Sequence, residues 1–276
     1  MSKLLASEWE RLWKRKVTWL MFAAIPIMVY AAAKYCLHQN NNLSPDLPQF
    51  TVAGNFPVLG LAEMLMTAFN FVVLVIAAMI VTEEYRSGQL RMVLIRAHSF
   101  QQIIIAKYIV LAGFIFLYLV AYFISCYGMG YALFSNPETY PQFHYQDHVT
   151  LGEGFIYNLK FYGLAFLTLV AMSSVVFFIA IVSHTTTTTL GIGIGFLLIS
   201  FLYPNIIQLF QQFLNNEVVI KLFFTSIPMI QWEGLTLMLA KSSSLYGWML
   251  LVLSCYILLF HLLIILVTRR KSDIFI

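Results

Sequence analysis

The chain has 276 residues, of which 61% are hydrophobic and only 10% charged, with a formal net charge of +4. Soluble domains are about 45–50% apolar, so the composition excludes an ordinary soluble enzyme and points to a chain that crosses a membrane several times. The positive residues flank lipid-length apolar segments instead of forming one basic surface, which argues against nucleic-acid binding, and no stretch between the apolar runs is long enough to build a separate soluble core.

Residues Ser2–Lys16 come first. Leu4, Leu5, Trp9, Leu12 and Trp13 recur at helical spacing, while Lys3, Arg11 and Lys14 fall elsewhere on the wheel. This pattern predicts an amphipathic helix lying at the inner membrane interface, as an anchor alone or as an anchor that also touches a cytoplasmic partner. The basic start, the apolar run and Ala31-Ala32-Ala33 mimic a cleavable leader. The leading region is long and carries acidic and Trp residues, so the run is expected to be a permanent anchor.

A membrane span needs about 20 apolar residues. Six segments qualify: Val17–Leu37, Val58–Thr82, Ile103–Phe134, Phe161–Val182, Thr189–Phe210 and Leu245–Val267. The third is longer than a bilayer requires, which predicts tilt or projection beyond it. An even number of spans puts both termini on one side. Of the 16 Lys and Arg, 12 lie near the N-terminus, after the second span or at the C-terminus. Basic residues mark the cytoplasmic side, so this bias agrees with both termini being cytoplasmic. Asp46, Glu63, Glu138, Asp147, Glu153, Glu217 and Glu233 then fall on the outer side.

The first outer loop, His38–Pro57, is polar and proline-containing. Between spans two and three comes the densest charge of the chain, Glu83 to Arg96. On a helix, Leu90, Val93, Leu94 and Ala97 share one face, and Glu84, Gly88 and Arg91 another. Glu83 and Arg86 are three apart and can pair. Residues 83–100 are therefore expected to form an amphipathic helix on the cytoplasmic surface, continuous with two spans.

The second outer loop, Ser135–Asn158, holds His144 and His148 four apart, with Asp147 adjacent. On a helix that spacing suits a metal, but no second ligand pair follows and Pro141 opposes the helix, so no metal site is assigned. Spans four and five are joined by Ser183–Thr189. Gly191, Gly193 and Gly195 follow and permit close helix approach. Residues 211–244 hold two short apolar pieces, Val218–Phe224 and Met229–Leu239, split by Ser226-Ile227-Pro228. Each is too short to span, which predicts a re-entrant pair covered by protein. His261 is a lone ionisable group in the last span and is expected to be neutral and hydrogen-bonded. Cys36, Cys126 and Cys255 fit no metal or disulfide framework and read as small core residues.

The chain lacks a G-x-x-x-x-G-K-[ST] phosphate loop, an H-E-x-x-H helix and a G-x-S-x-G elbow, so those routes to ATP, zinc and acyl chemistry are absent. The order Glu84…Gly88-Gln89-Leu90…Leu94…Ala97…Ser99…Lys107 resembles the coupling-helix signature of the type 2 ATP-binding-cassette (ABC) exporter permeases. In that family an acidic residue precedes Gly-Thr-Leu, then Leu, then Pro-x-Ser-Arg, then a Lys opening the third span. Here Gln89 stands for Thr, Ala97 for Pro and Phe100 for Arg. The N-terminal interfacial helix, the six spans and the re-entrant pair extend the resemblance over the whole chain.

The resemblance implies an all-α polytopic membrane protein forming a single permease domain, 1–276, with an interfacial helix (1–16), a coupling helix (83–100) and a re-entrant outer segment (211–244). It implies a non-enzymatic subunit of a bacterial exporter in the cytoplasmic membrane. The cargo would be an amphipathic or lipid-like molecule such as a peptide, antibiotic, bacteriocin or lipid-linked compound, in a setting of resistance or immunity. Partners would be cytoplasmic nucleotide-binding ATPase subunits, a second permease subunit in a homo- or heterodimer, and membrane lipids. ATP and Mg would bind the ATPase, with no cofactor on this chain. Glu84, Arg86, Gly88, Leu90, Arg91 and Leu94 would form the ATPase contact. Two readings from other classes stand beside it. One is a membrane-embedded maturation enzyme using His144, Asp147 and His148. The other is a non-transporting scaffold or sensor subunit.

Overall fold

A computed structural model describes residues 1–87, 100–145, 148–209, 215–241, 243 and 245–275, with the side chains of 83–87, 100, 208 and 270–275 left aside. Among the described residues six helices are long and apolar enough to cross a membrane: Lys16–Asn40, Phe56–Thr82, Gln101–Leu133, Leu151–Ser183, Thr186–Ile207 and Tyr246–Arg269. They correspond in order to spans one to six.

The N-terminal helix, Ser2–Trp13, precedes span one. A helix end leaves carbonyls without partners, and two of these are met by the next helix: Thr18 Oγ1 donates to Leu12 O at 2.6 Å and Trp19 Nε1 to Trp13 O at 2.8 Å. The turn Lys14-Arg15 is thereby held tight. At the other end of span one, Asn40 pairs twice with the Thr51 backbone at 2.8 Å, which closes the loop that leads to span two.

Span two is not uniformly wound. It runs as α-helix over Phe56–Met64, widens to a π-turn over Leu65–Phe69, and continues as α-helix over Asn70–Ser87. Span three belongs to a helix of 34 residues, Phe100–Leu133. At 1.5 Å per residue it is about 50 Å long, well beyond the roughly 30 Å hydrocarbon core. A two-stranded antiparallel hairpin follows, β1 (Thr139–Tyr140) against β2 (Val149–Thr150). His144 and His148 lie in this hairpin connection and not on a helix, and His144 has a φ of 59°. The four-residue spacing therefore does not align them on one helix face.

Span four begins at Leu151, ten residues before Phe161, where the apolar run starts. A capping box explains the early start. Thr150 Oγ1 accepts from Glu153 N, and Glu153 Oε2 accepts from Thr150 N at 2.9 Å. Span four ends at Ser183 with His184 in the left-handed region, and Thr186 already opens span five. The connection is thus only His184-Thr185, and Thr186–Thr189 are helical. At Gly193 span five lies close against span two, since a Cβ there would stand 2.2 Å from Leu74 Cδ1, whereas Gly191 and Gly195 face open space.

Beyond span five, the helices Asn216–Phe223 and Ile227–Met238 meet at 97°. The second contains another π-turn, Ile230–Gly234. At eight and twelve residues, neither piece reaches across a bilayer alone. The last helix, Tyr246–Phe275, closes the chain.

Span four is the hub. It packs against spans two, three, five and six and against the bent pair. More than half of the central windows of spans two, three and four is buried, against 17% for spans five and six. Cys36 and Cys126 sit in the core as expected. Cys255 does not: it is exposed on the uncovered side of span six.

Candidate functional site

Three polar features interrupt this apolar bundle, one at each end and one near its middle. The first lies at the end that carries the N-terminal helix. Leu4, Glu8 and Leu12 are one helical turn apart, so all three face the bundle, and all three are buried. Leu4 packs on Ile103 and Ala106 of span three. Glu8, set between apolar neighbours, meets Lys107 of span three with Nζ–Oε2 at 2.7 Å; both side chains are at most 5% exposed. Lys107 Nζ also donates to Ile80 O of span two at 3.1 Å, and Arg11 donates to the other Glu8 oxygen at 3.1 Å.

A buried charge is tolerated only when paired and hydrogen-bonded. The pair therefore fixes the N-terminal helix, the end of span two and the start of span three to one another. A run of rings, Trp9–Trp13–Phe22–Phe114, with centroids 5.4–5.8 Å apart, edge-to-face in its first and last pairs and tilted in the middle one, extends the contact into spans one and three. Outside this contact Lys14 stands 2.5 Å from Glu10 and holds that exposed carboxyl below its ordinary pKa.

Two further contacts brace the same end. Thr82 and Thr186 share a hydroxyl hydrogen bond of 2.6 Å between spans two and five. Tyr108 Oη reaches Val170 O and Ser174 of span four at 3.1 and 2.7 Å, and its ring meets the edge of His261 at 4.4 Å. His261 Nδ1 lies 2.8 Å from Ile257 O. The lone imidazole of the last span is thus hydrogen-bonded within its own helix.

The helices that flank residues 88–99 both leave this braced end. Glu84 and Arg86 fall in the helix Asn70–Ser87, of which only the backbone is described there, and Gly88, Leu90, Arg91 and Leu94 lie outside the described residues, as does Asp147.

The second feature lies near the middle of span four. Asn70 Nδ2 donates to Gln231 Oε1 at 2.6 Å, and Gln231 Nε2 donates back to Asn70 Oδ1 and to Thr168 Oγ1, both at 3.2 Å. All three residues are fully buried. The knot joins the π-turn region of span two, the π-turn of the bent pair and span four. The bend itself is pinned close by. Ser226 Oγ donates to Ser200 O at 2.6 Å, Tyr203 bonds Thr225 at 2.5 Å, and Tyr256 donates to Thr225 O at 3.2 Å. Spans five and six therefore hold the apex of the bent pair inside protein.

The third feature is a pair of clefts at the hairpin end. One, of about 370 Å³, is lined by the carboxylates of Glu63 and Glu233 and by Tyr35, Trp232 and Phe143. The other, of about 340 Å³, lies between the β-hairpin, the first turns of span four and the end of the bent pair, and includes His148 but not His144. Among the described residues no three His, Cys, Asp or Glu side chains are grouped to hold a metal ion.

The sequence pattern marks Lys107 as one of the basic residues beyond span two and as part of a motif, and does not single out Glu8, Asn70 or Gln231. The two charged residues did leave a signal. Glu8 interrupts an apolar helical stripe, Lys107 interrupts an apolar run, and each charge in such a place calls for a partner.

Among known proteins, the model of a family described as "Protein of unknown function (DUF2705)" matches residues 19–275. No curated protein matches the chain.

Proposed function

The chain belongs to the DUF2705 family, and we propose that it is the transmembrane permease subunit of an ATP-driven exporter of the ABC type 2 class. It moves an amphipathic or lipid-like cargo, such as a peptide, antibiotic or lipid-linked molecule, across the cytoplasmic membrane, with both termini in the cytoplasm. A separate ATPase subunit binds ATP and Mg and does the hydrolysis.

The observation that carries this reading is the buried Glu8–Lys107–Ile80 contact. A motor outside the membrane can shift a permease only through an element that touches it and is rigidly joined to the spans. Residues 88–99 are bounded by two helices that Lys107 ties together, and the N-terminal helix is fastened to the same point. A push on that segment by closing ATPase subunits then moves spans two and three as one body. The Asn70–Gln231–Thr168 knot hands the displacement to span four and the bent pair. Spans five and six, with most of their surface uncovered, supply the face for a second permease subunit. The cleft with Glu63, Glu233 and three aromatic rings suits a cargo with a positive charge and an apolar body.

The test is purification of the tagged chain from its native membrane with its neighbours. An ATPase subunit is expected to co-purify, and Gly88→Glu or Leu90→Glu is expected to abolish cargo-stimulated ATP hydrolysis while gel-filtration profile and melting midpoint stay unchanged. Absence of any ATPase, or stimulation that survives both substitutions in folded protein, would sink the proposal.

A further inference from the structure

The cleft of about 370 Å³ is walled by the end of span one and its following loop, the first turns of span two, the hairpin connection and the π-turn of the bent pair. Span two contributes Glu63 and the π-turn contributes Glu233. Both residues are exposed, and among the described residues neither carboxylate has a hydrogen bond or an ion pair. Thr236 also lines the cleft, but its hydroxyl donates to the Glu233 backbone carbonyl at 2.9 Å and not to the carboxylate. Glu63 stands roughly two turns past Phe56, ~10 Å along the helix. A carboxylate inside a span is costly and calls for a partner.

No Lys, Arg or His is among the described lining residues. Lys34 precedes Tyr35 in span one, but its ammonium lies over the Tyr30 ring, 5.6 Å from the centroid. The Lys and Arg whose side chains are not described, at 86, 91, 96, 270 and 271, follow the far ends of spans two and six in the chain. Asp147, outside the described residues, belongs to the same connection as Phe143 and has the sign of the two glutamates, so it does not cancel them. Three rings from three elements share the wall: Tyr35, Phe143 and Trp232, with Tyr35 and Trp232 45% and 51% exposed. An aromatic face attracts a cation within about 6 Å of its centre. Along span two the lining runs from Val58 to Met66, ~12 Å of helix with an apolar surface on either side of Glu63. A divalent metal ion would want about six or more oxygen ligands, and among the described residues no third His, Cys, Asp or Glu joins this pair.

From this arrangement we propose that the cleft binds a small lipophilic organic cation, such as a quaternary ammonium or phosphonium whose charge is wrapped in apolar groups. The two carboxylates answer the charge, the rings hold its apolar shell, and the wall of span two takes the rest of the body. A cavity of this size accepts a drug-sized molecule, which narrows the cargo away from long peptides. The proposal rests on the exporter reading only in calling the occupant cargo, because binding itself needs neither an ATPase nor transport.

The experiment is equilibrium dialysis of the full chain in neutral detergent micelles against empty micelles. The probes are tetraphenylphosphonium, the anion of the same shape tetraphenylborate, and calcium alone. The phosphonium is expected to bind saturably and at least about tenfold more tightly than the borate, with Glu63→Gln/Glu233→Gln removing the preference. Trp232→Leu should weaken phosphonium binding about three- to tenfold. All three residues are exposed, so the variants should melt with the wild type. Equal binding of the two ions overturns the inference, as does a preference that persists in the folded double variant or undiminished binding in Trp232→Leu. Calcium binding without phosphonium binding assigns an inorganic cation and overturns it too. Phosphonium binding by a chain with which no ATPase co-purifies leaves the cleft assigned and sinks the exporter reading alone. An ATPase that co-purifies with a chain that does not bind the phosphonium sinks the cleft proposal alone.

Discussion

Glu8 and Lys107 show how much one residue pair decides in an apolar chain. Their attraction is strong because both are shielded from water, and for the same reason either one alone is costly. Glu8→Ala should lower stability by about 3–5 kcal/mol, because the buried Lys107 loses the carboxylate it is paired with. Glu8→Met with Lys107→Met should recover most of that loss, since a buried ion pair and a packed apolar pair of similar volume differ little in free energy. Thermal melts of the purified chain in detergent read both. Equal melting of wild type and Glu8→Ala would show that the pair contributes nothing. If the double variant is stable but no longer supports the proposed coupling to an ATPase, the pair is kept for transmission and not for stability. Asn70 and Gln231 follow the same logic with neutral groups: each amide satisfies the other, so neither is replaceable alone.

At the level of helices, the capping box at Thr150 and Glu153 decides where span four starts. Removing the Thr150 hydroxyl by Thr150→Ala should destabilise the chain by about 1 kcal/mol. The loss should appear first as faster amide exchange over residues 151–157, while exchange at the middle of span four stays unchanged. Uniform protection across the helix would mean that the box does not hold its end. This element also marks the limit of what the sequence makes legible. Apolar length located all six spans, five of them within a few residues at both ends, because lipid imposes the same rule on every helix. It missed the first ten residues of span four, since a helix beyond the bilayer is set by caps and not by hydropathy. It found the two short pieces at 216–238 and their break at Ser226-Ile227-Pro228, where proline and serine punctuate the pattern. It did not find either π-turn, because winding depends on which tertiary partners a backbone meets. The charged stretch after span two was plain in the sequence, yet the pairing of Lys107 with Glu8 was not, since pairing over 99 residues leaves no local mark.

For the whole molecule, the uneven cover of the spans carries a prediction. Cys36 and Cys126 are buried in the bundle and Cys255 is exposed on span six. A membrane-permeant maleimide should label Cys255 in the isolated chain and leave the other two largely unmodified. If spans five and six form the contact with a second permease subunit, assembly should slow that labelling, and unchanged labelling in the assembled complex would move the contact elsewhere. The two π-turns have a consequence for how such a bundle can change shape. A π-turn carries one more residue than α-helical winding requires. Returning that residue to the α-helix would rotate the helix beyond it by about 100° and advance it by about 1.5 Å. Span two and the bent pair each hold one such surplus residue, and Asn70 and Gln231 sit where the two meet. Unwinding one turn alone would swing one amide away and strand its partner in apolar surroundings. The two helices must therefore rewind in step, so the bundle holds a paired register, like two gear teeth that can advance only together.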